Sequence, residues 1–413
     1  MNQETLLKLQ KYASLVVKVG VNVQPKQLLV INSPVDCAPF TRLLVEEGYK
    51  AGAKNVMVRW SDDINNKTYY TYVEEEEIKA FPDYLLHQFE YIVREKAAVI
   101  SISAPTPGLL KDVNPKKMQL SSIVMNEKVG FYRKHMMGNG SQWCVIAYPT
   151  IAWAVKVFPN LEETEAFNTL LDKILEASRV RNNNDPVREW EEHIHILAKH
   201  NRLLNEHQFE SLHFKNALGT DLTVHLVENH IWGGGGERSQ NDVMFAPNIP
   251  TEETFTMPHK HKVNGRVVST KPLNYQGKLI EDFTLDFVDG KVVGYDAKSE
   301  KEALKSLLEL DEGSSRLGEV ALISYDSPIS KSNILFFNTL FDENASCHLA
   351  LGNAYTMNVV GGHGMSDAEL EAIGYNKSIA HVDFMFGSRD MEVVGTKKDG
   401  TKVILFQNGN FVI

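Results

Sequence analysis

Residues 27–60 read QLLVINSPVDCAPFTRLLVEEGYKAGAKNVMVRW. The segment QLLVINSP (27–34) is a short apolar run ending in turn residues, and NVMVRW (55–60) is a second strand-like run. Between them, APFTRLLVEEGYKAGA (38–53) spaces its apolar residues helically and places glycines near its end. Strand, helix and strand in this order form a βαβ unit, which demands parallel pairing and packs the helix on the sheet. A further helical stretch, IKAFPDYLLHQFEYIVRE (78–95), leads into AAVISISAP (97–105) and repeats the alternation. The fold class expected for the N-terminal part is therefore α/β with a mainly parallel sheet.

The first strand-to-helix turn, NSPVDCAP (32–39), contains no glycine. A dinucleotide site needs glycines there for close approach of backbone to pyrophosphate, so a nicotinamide or flavin cofactor is not expected. The run EEEE (74–77) reads as a solvated helix face. Residues 160–208 look helical from the cap-like NLEETEAF onward. Within them His193 and His195 lie two apart, which on a helix sends them to different faces, so they read as ordinary surface or partly buried histidines.

From about residue 210 the texture changes to short strands and turns, as in LHFKNALGTDLTVHLV and GKLIEDFTLDFVDGKVVGYDA, whose Gly and Asp-Gly turns predict hairpins. The stretch SEKEALKSLLEL (299–310) opens with a capping-box pattern, Ser299 followed by Glu302. The second part is thus a strand-rich α+β domain. Domains are expected at 1–185 (N-terminal α/β) and 186–413 (C-terminal and metal-binding); 413 residues exceed what one hydrophobic core usually serves. The glycine run IWGGGGERS (231–239) lacks the GK[ST] ending of a phosphate loop and reads as a flexible loop able to line or cover a site.

The 43 lysines and arginines face 53 acidic residues, a net charge of −10 without a basic cluster, which excludes nucleic acid as the expected partner. The start, MNQETLLKLQKYASLVVKVGV, is broken by Lys8, Lys11 and Lys18 and reads as an amphipathic helix rather than a secretion signal. No apolar run reaches the roughly 20 residues of a membrane helix, so no membrane is expected. Three widely spaced cysteines, Cys37, Cys144 and Cys347, without a CxxC, argue against a disulfide framework and a thiolate metal site. A soluble cytoplasmic protein is expected.

Four segments of the second part place acids and histidines where packing favours apolar groups: NIPTEETF (248–255), RLGEVALISY (316–325), FDENASCHLALGNAY (341–355) and AHVDFMFGS (380–388). In the last, His381 and Asp383 share one strand face, because strand side chains alternate. Glu319 stands just before an apolar strand; Glu252 and Glu253 follow a proline. A buried carboxylate costs several kcal/mol unless paired or bound to a metal, although each acid alone also fits a cap or a rim charge. The third segment supplies Glu343, His348 and Tyr355, separated by small residues. Imidazole and carboxylate together suit divalent zinc, cobalt or manganese, and two histidines with up to four carboxylates suit a pair of ions sharing a bridging carboxylate. His259 and His261 in MPHKHKV (257–263) also share a face, but the lysines between and after them and the lack of a carboxylate point to an exposed strand.

Through the blocks NIPTEETFT, GEVALI, DENASCHLALGNAY and HVDFMFGS, in order along essentially the whole chain, the sequence resembles the thermophilic metallo-aminopeptidases, the aminopeptidase T, aminopeptidase S and PepS group, and looks most like its staphylococcal aminopeptidase S type. The resemblance implies release of single residues from peptides with a free N-terminus, with broad preference, by two divalent ions per subunit (Co, Zn or Mg). By position it implies that Glu253, Glu319, His348, His381 and Asp383 are metal ligands and that Tyr355 is the active-site tyrosine. Glu343 is either a further ligand or an acid behind the ligands. The resemblance also implies a homodimer whose active sites face an internal cavity. In the mechanism that follows, Glu319 bridges, Tyr355 donates to the oxyanion, and Glu253 or Glu343 carries the proton to the leaving amine. Another dinuclear hydrolase, an amidohydrolase or phosphoesterase, or a non-enzymatic metal- or peptide-binding module would use the same residues.

Overall fold

A computed structural model describes residues 2–110 and 112–413. The chain divides into two compact units, Met1–Ile194 with Gly236–Pro250, and His195–Gly235 with Thr251–Ile413.

The first unit is built on a four-stranded parallel sheet in the order Asn55–Ser61, Leu28–Pro34, Ala98–Ser103, Trp143–Ala147. Leu28, Leu29, Val30 and Ile31 are all sealed from solvent, so the second strand in that order is buried on both faces, as the continuous apolar run predicts. The helix Ala38–Lys50 connects it to the edge strand, with a proline in the first turn, where no intrahelical N–H bond is lost. Glu74 to Glu77 are exposed at the start of the short helix Glu75–Lys79. The returning segment 236–250 joins this sheet at Val145, whose N–H donates to Pro247 O at 2.7 Å.

In the second unit an eight-stranded antiparallel sheet runs Lys291–Asp296, Thr284–Val288, Pro258–Val268, Asp221–Leu226, Ser211–Lys215, Glu392–Thr396, Lys402–Gln407, Asn410–Phe411. The predicted Asp-Gly hairpin closes at Asp289 and Gly290, both at positive φ (+49° and +79°), the backbone that a tight two-residue turn requires. A four-stranded antiparallel sheet follows, His381–Met385, His348–Gly352, Leu317–Leu322, Thr254–Thr256. Val320, Leu322, Leu349, Leu351 and Phe384 of this second sheet join Phe214, Leu222, Leu285 and Phe406 of the first in one apolar core.

Two local expectations are corrected. The helix Lys301–Leu308 is capped by the backbone of Glu300 in a left-handed conformation, and Ser299 instead donates to Leu279 O and Glu281 Oε2. In MPHKHKV, Lys260 is buried and ion-paired with Glu371; His261 and Lys262 are exposed.

Candidate metal centre

Alternation across the four-stranded sheet sorts its side chains. Glu319 pairs with Ala350, and Ala350 with Asp383; Ala321 pairs with His348, and Gly352 with His381. Residues in register share a face, so Glu319, His348, His381 and Asp383 stand on one side while Val320, Leu349, Leu351 and Phe384 enter the core on the other. Ala321 and Ala350 lie between the functional side chains and leave room for them. Glu253 ends the loop immediately before Thr254–Thr256.

The side chains converge. His348 Nε2 is 3.2 Å from Glu319 Oε1 and 3.5 Å from Glu253 Oε2. His381 Nε2 is 3.6 Å from Glu319 Oε2 and 3.4 Å from Asp383 Oδ1. Glu319 thus turns one carboxylate oxygen to each histidine. Two groups result, Glu253 with Glu319 and His348, and Glu319 with His381 and Asp383, each with its ligand atoms within 4.8 Å of one another.

The donor set fits divalent cations. It combines imidazole with carboxylate, is buried at Glu253, Glu319 and His348 and half-buried at His381 and Asp383, and includes Asp383 Oδ1, sealed from solvent with no hydrogen-bond partner among the described residues. His381 Nδ1 donates to the carbonyl of Asn353 at 2.7 Å, which fixes the ring and leaves Nε2 aimed at Glu319 and Asp383.

Burial and the neighbouring charges shift the ionisation of these groups. Burial pushes the Glu253 carboxyl up to about 7, partly opposed by His348. Burial works against a charged His348, but its hydrogen bond with Glu319 and the nearby Glu253 and Asp383 raise it to about 10. Against the same desolvation, Asp383 raises His381 to about 9. Glu343 is held well above the carboxylate range by burial and by Glu253 and Asp383. It lines the cavity beside the cluster but belongs to neither three-residue group. Tyr355 packs its ring 4.7 Å from that of His381, with Phe255 edge-on at 6.3 Å, and burial pushes its hydroxyl pKa up. All seven expected residues therefore lie on one side of this sheet or at the cavity next to it.

The residues that hold the site in place are buried asparagines, which the sequence reading passed over, and glycines of the run it took for a flexible loop. Asn344 accepts the Glu252 N–H at 2.8 Å and donates to Leu340 O at 3.1 Å, tying the loop that carries Glu253 to the turn that carries Glu343. Asn376 donates to the carbonyls of Gly313 and Gly352. Their signal was present, since asparagines inside apolar blocks must find backbone partners. The glycine run is not a free loop at this end: Gly233 exchanges both backbone hydrogen bonds with Phe255, at 3.0 and 2.9 Å. Gly234, at φ +123°, lies so close that a Cβ would come 2.4 Å from Glu253 O.

The model of the family described as thermophilic metalloprotease (M29) matches residues 6–411. The chain is 45% identical to aminopeptidase 2 of Geobacillus stearothermophilus over 403 residues, covering 98% of this chain and 97% of the relative. It is 45% identical to aminopeptidase AmpS of Bacillus subtilis, with 98% of each chain covered. Among solved structures, wild-type AmpT from Thermus thermophilus superposes with a TM-score of 0.90 at 35% identity, covering 99% of this chain and 100% of that one.

Proposed function

Because the chain belongs to the thermophilic metalloprotease (M29) family and is an aminopeptidase, we propose that it removes N-terminal residues of broad character using two divalent ions, cobalt, zinc or magnesium. Glu253, Glu319 and His348 would hold one, Glu319, His381 and Asp383 the other. The observation that carries this reading is the Glu319 carboxylate, whose two oxygens face different histidines. Bound ions of this kind would supply Lewis acidity, bringing the pKa of water down toward about 7 and polarising a carbonyl.

The chain's own groups supply the remainder. Tyr355, fixed between Phe255 and His381, presents its hydroxyl to the oxygen of the scissile carbonyl as charge develops there. Donors of this type contribute about 2.7 to 4 kcal/mol. Glu253 or Glu343 carries the proton to the leaving amine, and the acids around the cavity favour a substrate with a positive α-amino group. Glu343 is a further ligand or an acid behind the ligands.

Within the family we place the chain with the aminopeptidase S type, because identity to Bacillus AmpS, 45%, exceeds the 35% to the Thermus enzyme. A cytoplasmic homodimer acting on short or unfolded peptides completes the proposal. No helix among the described residues is long and apolar enough to cross a membrane. The test is hydrolysis of leucine anilide with added cobalt. Cleavage of the unblocked compound and not of its N-acetyl form is expected; equal cleavage of both would overturn the reading.

A further inference from the structure

A cavity of about 260 Å³ opens beside the cluster, with His381, Asp383 and Glu343 in its wall. The wall also carries the apolar Leu273, Leu335, Phe337 and Met385 and the polar Asn274, Asn338, Thr339 and Asp342. An apolar cavity of about 150 Å³ accommodates a benzene ring. The space here therefore suits one side chain up to aromatic size.

One wall residue has an unusual backbone. Phe337 has φ +55°, the left-handed region that bulky residues avoid. Its neighbours on both sides are clamped by one carboxylate: Asp342 Oδ1 accepts the Phe336 N–H at 2.7 Å and Oδ2 accepts the Asn338 N–H at 2.9 Å. The Phe336 ring stacks on Phe341 at 4.6 Å, and Asn338 Oδ1 accepts the Leu340 N–H at 3.2 Å. Strained residues persist where their surroundings over-determine them, and such places cluster at ligand clamps.

We propose that this cavity receives the side chain of the peptide's N-terminal residue, that Phe337 sets its depth, and that Asp342 is a positioning residue holding Phe337 there. The inference rests on the aminopeptidase reading and grades its broad range: uncharged side chains up to phenylalanine size, packed on Leu273, Leu335, Phe337 and Met385, are preferred. An acidic side chain placed there would face Glu343 and Asp383 and is disfavoured.

The test uses the full-length, metal-loaded protein. It compares kcat/KM on the p-nitroanilides of Ala, Leu, Phe and Glu for wild type, Phe337→Ala, Phe337→Trp and Asp342→Asn, with metal content measured in each. Binding of free phenylalanine and alanine is measured in parallel by calorimetry. Wild type should favour Leu and Phe over Glu. Phe337→Trp should lower the Phe-to-Ala ratio about 10-fold or more, a change of the size that one or two methylenes make in an apolar pocket. Phe337→Ala, or Phe337→Leu where the alanine variant does not fold, should raise it, and Asp342→Asn should blunt the preference with metal retained. Variants that keep metal and change all four substrates by one factor would overturn the proposal. If wild type cleaves no unblocked anilide yet Phe337→Trp weakens phenylalanine binding, the aminopeptidase reading fails and the pocket assignment survives.

Discussion

His381 donates its Nδ1 hydrogen to the carbonyl of Asn353 at 2.7 Å, and this one bond sets the direction of the other ring nitrogen. With Nδ1 engaged, Nε2 faces Glu319 and Asp383 and is the atom left for a cation. Loss of partners behind a metal ligand typically lowers affinity 10- to 100-fold, and loss of the ligand itself should cost at least as much. His381→Ala is therefore expected to lose metal and to lower kcat/KM about 100-fold or more while its far-ultraviolet circular dichroism stays unchanged. Retention of full metal content, read by elemental analysis, would remove His381 from the site.

Ala350 lies in register between Glu319 and Asp383 on the cluster face of the sheet and is fully buried. Two added methyl groups there must displace one or both carboxylates. Overpacking of this kind costs about 1 to 3 kcal/mol. Ala350→Val should therefore unfold at a lower urea midpoint and bind metal more than about 10-fold more weakly. A variant that binds as wild type does would mean that the row has more free space than the register implies.

Gly234 tests how the loop carrying Glu253 is held. A methyl at this position meets Glu253 O at 2.4 Å, and its φ of +123° disfavours any L side chain. Strain of about 1 to 3 kcal/mol is expected for Gly234→Ala, together with lower activity, because the atom it pushes belongs to a proposed ligand residue. Urea unfolding measures the first effect and anilide hydrolysis the second. Lost stability with unchanged activity would show that the loop gives way without moving the carboxylate.

The elements that were legible in advance are those with a strong local signal. The run at Leu28 to Ile31 and the following helix announced a parallel sheet, and His381 with Asp383 announced a shared strand face. That Glu319, His348 and Glu253 face the same way was not legible, because each segment alone fits a cap or a rim charge. The resemblance joined them, and the register across Glu319, Ala350 and Asp383 shows why they meet. The Ser299 cap failed because Ser299 takes partners from the strand Lys278–Ile280 and the residue after it, tertiary contacts invisible to a local pattern. The strain at Phe337 was equally hidden, since phenylalanine carries no preference for left-handed backbone.

The cysteines provide a test of packing independent of the metal. Cys37, Cys144 and Cys347 are free and buried, and burial pushes the Cys37 and Cys347 thiols from 9.0 up to about 12. Raised pKa means less thiolate at any pH below it, and the thiolate is the reactive form. At pH 8 the native protein should resist a thiol-specific disulfide reagent for hours, and all three thiols should react once urea unfolds the chain. Rapid reaction of one thiol in native buffer would locate a region that opens locally.

Removal of metal should be felt by the fold as well as by the reaction. Glu253, Glu319 and His348 are buried together with Asp383 half-buried beside them, and a cation that binds only the native arrangement stabilises it by RT ln(1 + [L]/Kd), about 4 kcal/mol at a thousandfold excess over Kd. Chelation should accordingly lower the unfolding temperature and abolish hydrolysis, with both restored by added cobalt. Titration of the chelated protein should end at two equivalents per chain, because Glu319 offers separate oxygens to His348 and His381. An end point of one equivalent with full activity would refute the bridging role of Glu319 and leave a single-ion site made from one of the two groups.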